Sequence, residues 1–476
     1  MRLSKAPLKD IDKYPVAVLG FGRAGRAVTE HLIALGNPPT VYAQAPVPEE
    51  VQATYRPHGV IFAGDFPTVF PESFLVRSPG LRPDHPAIRA ALARGSILTG
   101  EADLFLALTS ATVIGVTGSD GKTTTANLIA ALLRAAGKRV LLGGNNGVPL
   151  LPQLSSLGPA DYAVVELSSF QLMTAPAPDV AVLTNLSPNH LDWHADMQEY
   201  AAAKCHILHG ARALVTNADC KQTREIGERA PLPVRFFSVE DAPSPKGAAL
   251  FATVHGDMLR VQEGNDTREL AVFRDFPLPG RHNRANLAAA VLACAELVSD
   301  AQILRTAREF RGVKHRLQKI ATVRGVTYIN SSIDTSPTRT VAALSALDAP
   351  LVVIAGGRGK GVPFTPMTDA LSTRARAVFL YGEAAGEIGA LLEGRVPVFY
   401  HDRFSAAFDA AARFARAGEC VLLSPGCTAF GEFRDFEERG ECFCRLVEAL
   451  AKERIEHIGT SRTDPCNGRA NERYGL

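Results

Sequence analysis

The sequence lacks the features that would mark it as a membrane, nucleic-acid-binding or disulfide-rich protein. Its most apolar stretch, residues 104–116, is interrupted by polar residues and falls short of the ~20 residues that span a bilayer. Its eight cysteines include no Cys-x-x-Cys pair, so neither a zinc ribbon nor a disulfide scaffold is indicated. Lys and Arg number 51 against 49 Asp and Glu, which leaves no general excess of cations for a polyanion. We therefore expect no membrane span and no nucleic-acid partner.

A secretory signal is also missing from the start of the chain. Charged side chains interrupt residues 1–14, where a signal peptide needs an unbroken apolar run. Tryptophan occurs once, and hydrophobic residues make up 46% of the sequence and charged residues 21%, as in ordinary globular proteins. These observations predict a cytoplasmic globular protein.

The length predicts about three domains. At ~150 residues per domain, 476 residues exceed what one or two small domains need. Strand, glycine turn and helix patterns restart near residue 108 and again after residue 313, so we predict domains over 1–107, 108–313 and 314–476. Residues 456–476 show no periodicity, and we expect them to form a mobile tail.

Alternating strands and helices predict an α/β fold throughout. The first domain opens with a strand at 15–19, a glycine turn and a helix at 26–35, which is a Rossmann-like pattern. The middle domain has a P-loop-type start, a helix predicted over 124–136, and an excursion at 241–276 that predicts antiparallel strands. The third domain resumes the Rossmann-like alternation.

The strongest motif is Gly115-Val-Thr-Gly118-Ser-Asp-Gly121-Lys122-Thr123-Thr124, between a predicted strand and helix. Glycines let backbone N–H groups surround a phosphate, a lysine adds a charge for the terminal phosphates, and a threonine hydroxyl can bind Mg²⁺. Because the first glycine lies one position early, the motif departs from the strict P-loop pattern. We interpret it as an ATP loop; the alternative is an accidental glycine turn.

A second glycine motif, Gly20-x-Gly22-x-x-Gly25, is less specific. It fits NAD, FAD, any diphosphate held at a helix N-terminus, or a structural turn. Dinucleotide binding also needs an acid after the second strand, where this chain has Ala43 and Gln44. Ser78-Pro79-Gly80 follows another predicted strand and is either part of the same anion-binding edge or a plain turn.

Three further residues are candidates for the chemistry of the middle domain. Glu166 and His190 follow predicted parallel strands at the same sheet edge as the ATP loop, so both can reach a metal bound to ATP. A buried glutamate needs a partner, which favours metal binding by Glu166 over packing. His190 alone is equally typical of a loop histidine, and Lys204 of an exposed helix face.

These residues belong to a series of segments that resembles the Mur ligases over residues 15–452. The segments are GVTGSDGKTTT, GGNNG (143–147), VELSSFQL (165–172), TNLSPNHLDWH (184–194), EYAAAK (199–204), LPGRHNRAN (278–286), HRL (315–317) and SPGCTAFGEFRDFEERG (424–440). Within that family, ELSSFQL and the last segment are similar to the branch that joins D-glutamate to UDP-N-acetylmuramoyl-L-alanine. The resemblance implies an ATP-dependent ligase of peptidoglycan precursor synthesis that works through an acyl phosphate, and we expect a monomer.

The resemblance also implies site residues for each ligand. UDP-N-acetylmuramoyl-L-alanine would contact Gly22, Arg23, Ala24, Gly25, Ser78, Pro79, Gly80, Asn145 and Gln171. ATP would contact Gly118, Ser119, Asp120, Gly121, Lys122, Thr123, Thr124, Asn283, Asn286 and Arg316. Mg²⁺, expected at two sites, would contact Thr123, Glu166, His190 and Lys204, the lysine as a carbamate. The amino acid would contact Thr335, Lys360, Thr428 and Phe436. The implied catalytic residues are Lys122, His190 and Lys204.

The third domain departs from the family pattern where the amino acid is expected. The family's Asp-Ser-Lys block reads Ser331-Ser332-Ile333 here, so an acid and a base are absent from their positions. Ala429 replaces a serine that often contacts the glutamate, and Arg358 is a candidate for the missing cation. The remaining matches to the family pattern make D-glutamate the expected acceptor, and the alternative is a related Mur or folylpolyglutamate-type ligase with a different acceptor such as L-glutamate.

Three other function classes stay open from the sequence. A folylpolyglutamate-synthase-like ligase shares the ATP domain but does not need the first glycine domain. A nicotinamide-dependent dehydrogenase explains Gly20–Gly25 but leaves Lys122, Glu166 and His190 without a role. A non-catalytic ATP-binding regulator is the third alternative.

Overall fold

The computed structural model describes residues 5–145, 147–188, 193–240, 242–278, 280–359 and 361–452. The chain divides into two compact units, Met1–Phe310 and Arg311–Leu476. Within the described ranges, no helix is both long and apolar enough to cross a membrane. The predicted tail at 456–476 lies outside the described residues.

The first sheet of the first unit has five parallel strands in the order β3-β2-β1-β4-β5. The strands are β1 Val16–Leu19, β2 Thr40–Tyr42, β3 Ile61–Gly64, β4 Phe74–Arg77 and β5 Ile97–Thr99. The helices are α1 Lys5–Leu8, α2 Arg23–Ala34, α3 Glu49–Tyr55, α4 Pro86–Ala93 and α5 Glu101–Leu108. The β1 strand is buried along its whole length, as its unbroken apolar run predicts for a parallel sheet, and β4 is equally buried although it ends in Arg77. Their carboxyl ends carry the glycine loop and Ser78–Gly80.

The second sheet of the same unit has nine strands in the order β14-β13-β12-β11-β10-β9-β6-β8-β7. The strands are β6 Thr112–Thr117, β7 Val140–Gly144, β8 Tyr162–Glu166, β9 Val180–Leu183, β10 Ala213–Asn217, β11 Val234–Ser238, β12 Ala248–His255, β13 Met258–Glu263 and β14 Asp266–Leu270. The helices are α6 Lys122–Ala135, α7 Ser169–Leu172, α8 Met197–Cys205, α9 Lys221–Arg229, α10 Arg281–Ala293 and α11 Asp300–Glu309. The strands from β7 to β12 are parallel, and β12, β13 and β14 form an antiparallel meander in the region of the predicted excursion.

The second unit is built on a six-stranded sheet in the order β15-β16-β20-β17-β18-β19, in which only β15 runs antiparallel to its neighbour. The strands are β15 Gln318–Val323, β16 Val326–Asn330, β17 Leu351–Gly356, β18 Ala375–Tyr381, β19 Val398–His401 and β20 Cys420–Leu423. The helices are α12 Pro337–Ser345, α13 Thr365–Arg374, α14 Ala385–Leu392, α15 Phe404–Phe414 and α16 Phe436–Lys452. Because β20 inserts between β16 and β17, the loops after these strands leave the same sheet edge.

The three sheets confirm the predicted α/β fold class. The boundary between the two units falls three residues before the predicted start of the third domain, whereas the boundary at 107 stays a prediction. Two helix starts differ from the sequence prediction: α2 begins at Arg23, not at residue 26, and α6 begins at Lys122, not at residue 124. Gly121, with a left-handed φ of 79°, ends the turn early, so Lys122 and Thr123 lie in the first turn of the helix.

Candidate active site

The ATP-loop motif forms the turn from β6 into α6. Gly118 and Gly121 have positive φ values, and a Cβ atom on Gly118 would lie 1.9 Å from the Thr184 hydroxyl oxygen. The Lys122 ammonium lies over the loop and donates to the carbonyl oxygens of Gly118 at 2.9 Å and Ser119 at 2.7 Å. A lysine cation and the N-terminus of a 14-residue helix therefore share one concave backbone turn, which is the electrostatic requirement for binding a polyphosphate.

Neighbouring loops hold this turn in place. The Ser119 hydroxyl donates to the Ser187 carbonyl at 2.9 Å and shares a 3.0 Å hydrogen bond with the Tyr200 hydroxyl. The Asp120 backbone N–H donates to the Asn185 side chain at 2.9 Å. Thr123 is buried in the first turn of α6, and Thr124 follows it. The predicted loop residues therefore form one ordered turn.

Glu166 has the properties of a cation ligand. It ends β8, is 2% exposed, and its Oε1 accepts a 2.9 Å hydrogen bond from the Asn145 side-chain amide. Its Oε2 is buried without a hydrogen-bond partner among the described residues. A buried carboxylate oxygen without a donor is costly, so the residues present fit a bound divalent cation at this position.

Lys204 is a second buried charge beside the ATP loop. It lies on α8, is 2% exposed, and donates to the Thr117 hydroxyl at 3.3 Å. No carboxylate oxygen in the described part of the chain lies within 4.0 Å of its Nζ atom. Burial, and then the Lys122 charge, hold the pKa of the Lys204 amine well below its usual value, although Glu166 and Asp120 raise it. The alternative that Lys204 lies on an exposed helix face is therefore wrong, because α8 presents this residue to the core.

Gly20 and Gly22 of the glycine turn line a cavity of about 520 Å³. Gly22 is the N-cap of α2, and a Cβ atom on Gly25 would lie 2.1 Å from the Gly20 carbonyl oxygen, which explains glycine at this close approach. Ser78 and Gly80 line the same cavity from the loop after β4, so the two predicted diphosphate loops share one concavity. Its size suits a nucleoside.

The cavity also contains residues that sequence reasoning did not select. Gln44 and the residues after it follow β2, and Phe66 and Arg26 complete the wall. The sequence signal was available, because the segment after β2 leaves the same sheet edge as the glycine turn.

Three predicted substrate residues lie where the first two sheets meet. Arg23 donates to the Gly147 carbonyl at 3.3 Å, and Ala24 and Gln171 line a small cavity beside Pro79. The Gln171 side-chain oxygen is engaged in a capping box, in which it accepts from the Ser168 backbone N–H at 3.0 Å. The structure therefore brings parts of both sheets to one location.

Asn283 and Asn286 lie on α10, next to the ATP loop. The Asn286 Oδ1 atom accepts from the Thr125 hydroxyl at 3.2 Å, and its amide donates to the Asn283 side chain at 3.5 Å. A Cβ atom on Gly121 would lie 2.3 Å from the same Asn286 oxygen. Both predicted adenine contacts are thus adjacent to the phosphate loop.

Of the amino-acid residues predicted for the second unit, Thr335 and Thr428 lie on loops that follow strands of its sheet, and Phe436 is the first residue of α16. Thr335 follows β16, and the Thr428 hydroxyl donates to the Arg358 carbonyl at 2.9 Å. The Phe436 carbonyl accepts from the Ser332 hydroxyl at 2.7 Å. Arg316 lies between His315 and Leu317, two non-glycine residues with positive φ values of 61° and 43°.

The structure shows which charges stand near the departures from the family pattern. Asp334, three residues after the missing acid at 331, is hydrogen-bonded to the side chains of Ser331 and Ser424. Burial raises its pKa to about 6, although these hydrogen bonds and the charges of Arg339 and Arg316 lower it. The acid is therefore displaced along the chain rather than lost from the region.

A cation is also present near the missing base. The Arg339 guanidinium donates to the Ile333 carbonyl at 2.9 Å. Arg358, the candidate from sequence, instead pairs with Glu383 at 2.7 Å on the exposed surface. His190 and Lys360 lie outside the described residues.

Comparisons with known proteins show which proteins the chain is similar to. The Mur ligase middle domain matches residues 116–294, and the Mur ligase glutamate ligase domain matches residues 315–427. The chain is 36% identical to the UDP-N-acetylmuramoylalanine--D-glutamate ligase of Acetivibrio thermocellus over 460 residues, which cover 93% of this chain and 98% of the relative. It is 38% identical to the ligase of the same name from Symbiobacterium thermophilum over 448 residues, covering 91% and 98%.

A solved structure is similar in fold. The UDP-N-acetylmuramate-alanine ligase MurC of Thermotoga maritima superposes with a TM-score of 0.51 at 18% identity and covers 92% of this chain and 99% of its own. The similarity at this identity concerns the fold, whereas the sequence matches extend over nearly the whole chain. The resemblance predicted from the motifs is confirmed, and the chain belongs to the Mur ligase family.

Proposed function

We propose that the chain is an ATP-dependent ligase that adds D-glutamate to UDP-N-acetylmuramoyl-L-alanine in cytoplasmic peptidoglycan precursor synthesis. The observation that carries this proposal is the identity of 33–38% to ligases with this activity in their name, over more than nine-tenths of the chain. The Lys122 loop beside Glu166 and Lys204 supports an ATP-dependent ligase over a nicotinamide-dependent dehydrogenase, which would leave these residues without a role. We further propose that the enzyme works as a monomer.

The reaction requires activation of a carboxylate, which is a poor acyl donor. Transfer of the ATP γ-phosphoryl group to the L-alanyl carboxylate gives an acyl phosphate and ADP. The amino group of D-glutamate then attacks the acyl carbon, an amide bond forms, phosphate leaves and the amine loses a proton. Lys122 and the N-terminus of α6 stabilise the negative charge that develops on the transferred group.

We propose that Thr123, Glu166, His190 and carbamylated Lys204 hold Mg²⁺ at two sites. Bound there, the metal would neutralise phosphate charge and orient the γ-phosphoryl group. The buried Oε2 of Glu166, which has no hydrogen-bond partner in the described part of the chain, supports the first site. The Lys204 amine, buried with no carboxylate nearby among the described residues, supports carbamylation, which converts a cation into an anionic oxygen ligand. His190 has a second proposed role as a proton acceptor.

The remaining predicted contacts are part of the same proposal. The nucleotide-sugar would occupy the cavity at Gly22–Gly25 and Ser78–Gly80, with Asn145 and Gln171 toward the muramoyl end. Asn283, Asn286 and Arg316 would contact ATP. Thr335, Lys360, Thr428 and Phe436 would contact D-glutamate, with Asp334 and Arg339 close to the departures from the family pattern.

A phosphate-release assay tests the acceptor. Purified protein is given ATP, Mg²⁺, UDP-N-acetylmuramoyl-L-alanine and either D-glutamate or L-glutamate. We expect release and a new amide product with D-glutamate only. Release with L-glutamate but not with D-glutamate would contradict the assignment and favour the related-ligase alternative.

A substitution in the ATP loop tests the site. We expect Lys122→Ala to lower phosphate release by about 10³-fold, because one preorganised charge at a transferring phosphoryl group contributes several kcal/mol. Lys221→Ala is the matched control, since Lys221 also begins a helix of the same unit but is exposed. Turnover by Lys122→Ala equal to that of the control would show that ATP binds elsewhere.

A further inference from the structure

The single tryptophan of the chain connects two loops that come from different sheets. Trp193 follows β9 in the second sheet, three residues after His190, and its indole Nε1–H donates to the Gly80 carbonyl at 3.1 Å. Gly80 belongs to the loop after β4 in the first sheet and lines the nucleotide cavity. The Trp193 ring also packs on Phe170 of α7, with ring centroids 4.4 Å apart. A movement of the Gly80 loop therefore acts directly on Trp193.

Arg82 connects the same tryptophan to helix α8. Its guanidinium stands 4.8 Å from the Trp193 ring centroid and donates to the Trp193 carbonyl. It makes two 2.9 Å hydrogen bonds to Asp84, and one of 3.3 Å to Glu199 on α8. One planar guanidinium thus engages an aromatic face, a backbone carbonyl and two carboxylates, a combination that a flexible ammonium does not reproduce.

Helix α8 carries the contact onward to the ATP loop. Glu199 also accepts from the Ala195 backbone N–H at 2.6 Å, which fixes the start of the helix. The next residue, Tyr200, shares its hydroxyl with Ser119 of the ATP loop, and Lys204 lies one turn further with its ammonium 4.8 Å from the Tyr200 ring centroid. From Gly80 to Lys204 the path consists of direct contacts within one compact unit.

The contacts along this path differ in how easily they can change. Arg82 is 34% exposed and Glu199 28% exposed, so their attraction is screened and weaker than that of a buried pair. The Tyr200 and Lys204 end is fully buried and rigid by comparison. A ligand that displaces the Gly80 loop by a small distance can therefore change the Arg82 contacts at low cost and pass the change to α8.

We propose that Arg82 and Trp193 are positioning residues that couple the nucleotide-sugar site to the ATP site by linking the Gly80 loop to helix α8. This inference rests on the proposed function, because it takes the cavity at Gly80 as the nucleotide-sugar site and the loop at Ser119 as the ATP site. Binding of either ligand alters the position of α8 and hence the affinity for the other ligand, and the coupling is reciprocal.

The fluorescence of Trp193 reports how each ligand affects the Trp193 contacts, because the chain has no other tryptophan. UDP-N-acetylmuramoyl-L-alanine and a non-hydrolysable ATP analogue are added separately to the wild-type protein, and each is expected to change the emission. In Arg82→Ala the change with the nucleotide-sugar is expected to persist, since the Trp193–Gly80 hydrogen bond is kept. The change with the ATP analogue is expected to become smaller, because the Arg82 contacts are removed while the packing of His194 on Trp193 and Tyr200 is kept.

Calorimetry measures the coupling. In the wild-type protein we expect saturating nucleotide-sugar to tighten binding of the ATP analogue by about 5-fold or more, the lower end of typical coupling between sites. In Arg82→Ala the factor falls below about 2-fold, and kcat falls without recovery at saturating nucleotide-sugar. Trp193→Phe keeps the aromatic face but not the N–H donor, so we expect an intermediate factor. Arg94→Ala is the control, because it removes an exposed arginine that, like Arg82, lies between β4 and β5.

The outcomes separate the coupling from the function. Equal coupling factors in the wild type, Arg94→Ala and a folded Arg82→Ala would overturn the proposal, as would a wild-type protein that binds both ligands without mutual effect. Neither result would contradict the proposed ligase activity. A wild-type protein that does not bind the nucleotide-sugar would contradict the proposed function and the coupling together.

Discussion

Lys204 in the first unit and Arg439 in the second are both cations closed off from solvent, at 2% and 0% exposure. Arg439 donates to the Ser332 hydroxyl and carbonyl, the Cys427 carbonyl and the Tyr381 hydroxyl at 2.9–3.3 Å. Lys204 has one long hydrogen bond within the described ranges, to Thr117, and is near a second cation, Lys122. Within the described residues, neither has a carboxylate within ion-pair distance.

The difference lies in how completely the neighbours satisfy each charge. Neutral oxygens surround the guanidinium of Arg439, so it joins the loops after β16, β18 and β20 to α16 without needing a further partner. The Lys204 amine has too few acceptors for a stable ammonium, which is the condition in which modification or ligand binding lowers the free energy. A satisfied buried charge supports the fold, and an unsatisfied one indicates chemistry.

Removal of Lys204 is expected to give the largest effect and to separate activity from stability. Lys204→Ala should lower turnover by about 10³-fold, because a metal ligand at the phosphoryl group contributes several kcal/mol. Its thermal stability should be unchanged or higher, since a poorly solvated charge is removed. Short carboxylic acids should restore part of the activity by replacing the carbamate. Full turnover in Lys204→Ala would place this lysine with Arg439 as a structural cation.

Asp103 is a buried carboxylate to which the comparison of Lys204 with Arg439 can be extended. Its expected effect on stability is intermediate in size. Burial raises the pKa of Asp103 to about 6, although Thr174 and Arg77 lower it, and its Oδ2 has no hydrogen-bond partner among the described residues. The folded state therefore holds this proton more tightly than the unfolded state. Stability from Asp103 is present below about pH 4 and is lost as the pH rises through about 6.

Asp103→Asn removes this titration. The stability of the wild type relative to Asp103→Asn should fall by about 3 kcal/mol between about pH 4 and about pH 7. Urea unfolding monitored by Trp193 emission measures it, because Trp193 belongs to the same unit. A difference that is constant with pH would show that Asp103 stays ionised and is as well satisfied as Arg439.

Arg439→Lys is expected to give the smallest effect, confined to stability. An ammonium cannot reach all the oxygens that the guanidinium contacts, so we expect a loss of about 2 kcal/mol, typical of hydrogen bonds to charged groups. Calorimetric unfolding measures it, with Arg445→Lys on the exposed face of the same helix as the control. A loss of activity larger than the loss of stability explains would show that Arg439, like Lys204, contributes to the chemistry.

The sequence predicted the parts of the site that depend on local patterns. The ATP loop is contiguous, and Glu166 follows a strand whose apolar residues are unmistakable, so sheet topology places both at one edge. The fold class followed from the same alternation. The start of α6 was misplaced by two residues, because Gly121 permits a tighter turn than the pattern suggested.

Contacts between distant segments could not be predicted in this way. Nothing in the sequence around Arg82 indicates that Trp193 lies over it, and Lys204 is buried only because α8 packs against β6 and the ATP loop. Comparison with the family pattern shows no acid at position 331. In the structure, however, the carboxylate of Asp334 lies beside Ser331. These features arise from packing, which a linear pattern does not encode.

The close approach of Gly121 to Asn286 also constrains how the protein can vary. A single methyl group at 121 would overlap the Asn286 amide, and the left-handed φ of 79° already disfavours any other residue there. A larger residue at 121 would require a smaller one at 286, and even that pair would strain the turn. A substitution at position 121, just before α6, is therefore expected to be tolerated only together with one at position 286 on α10.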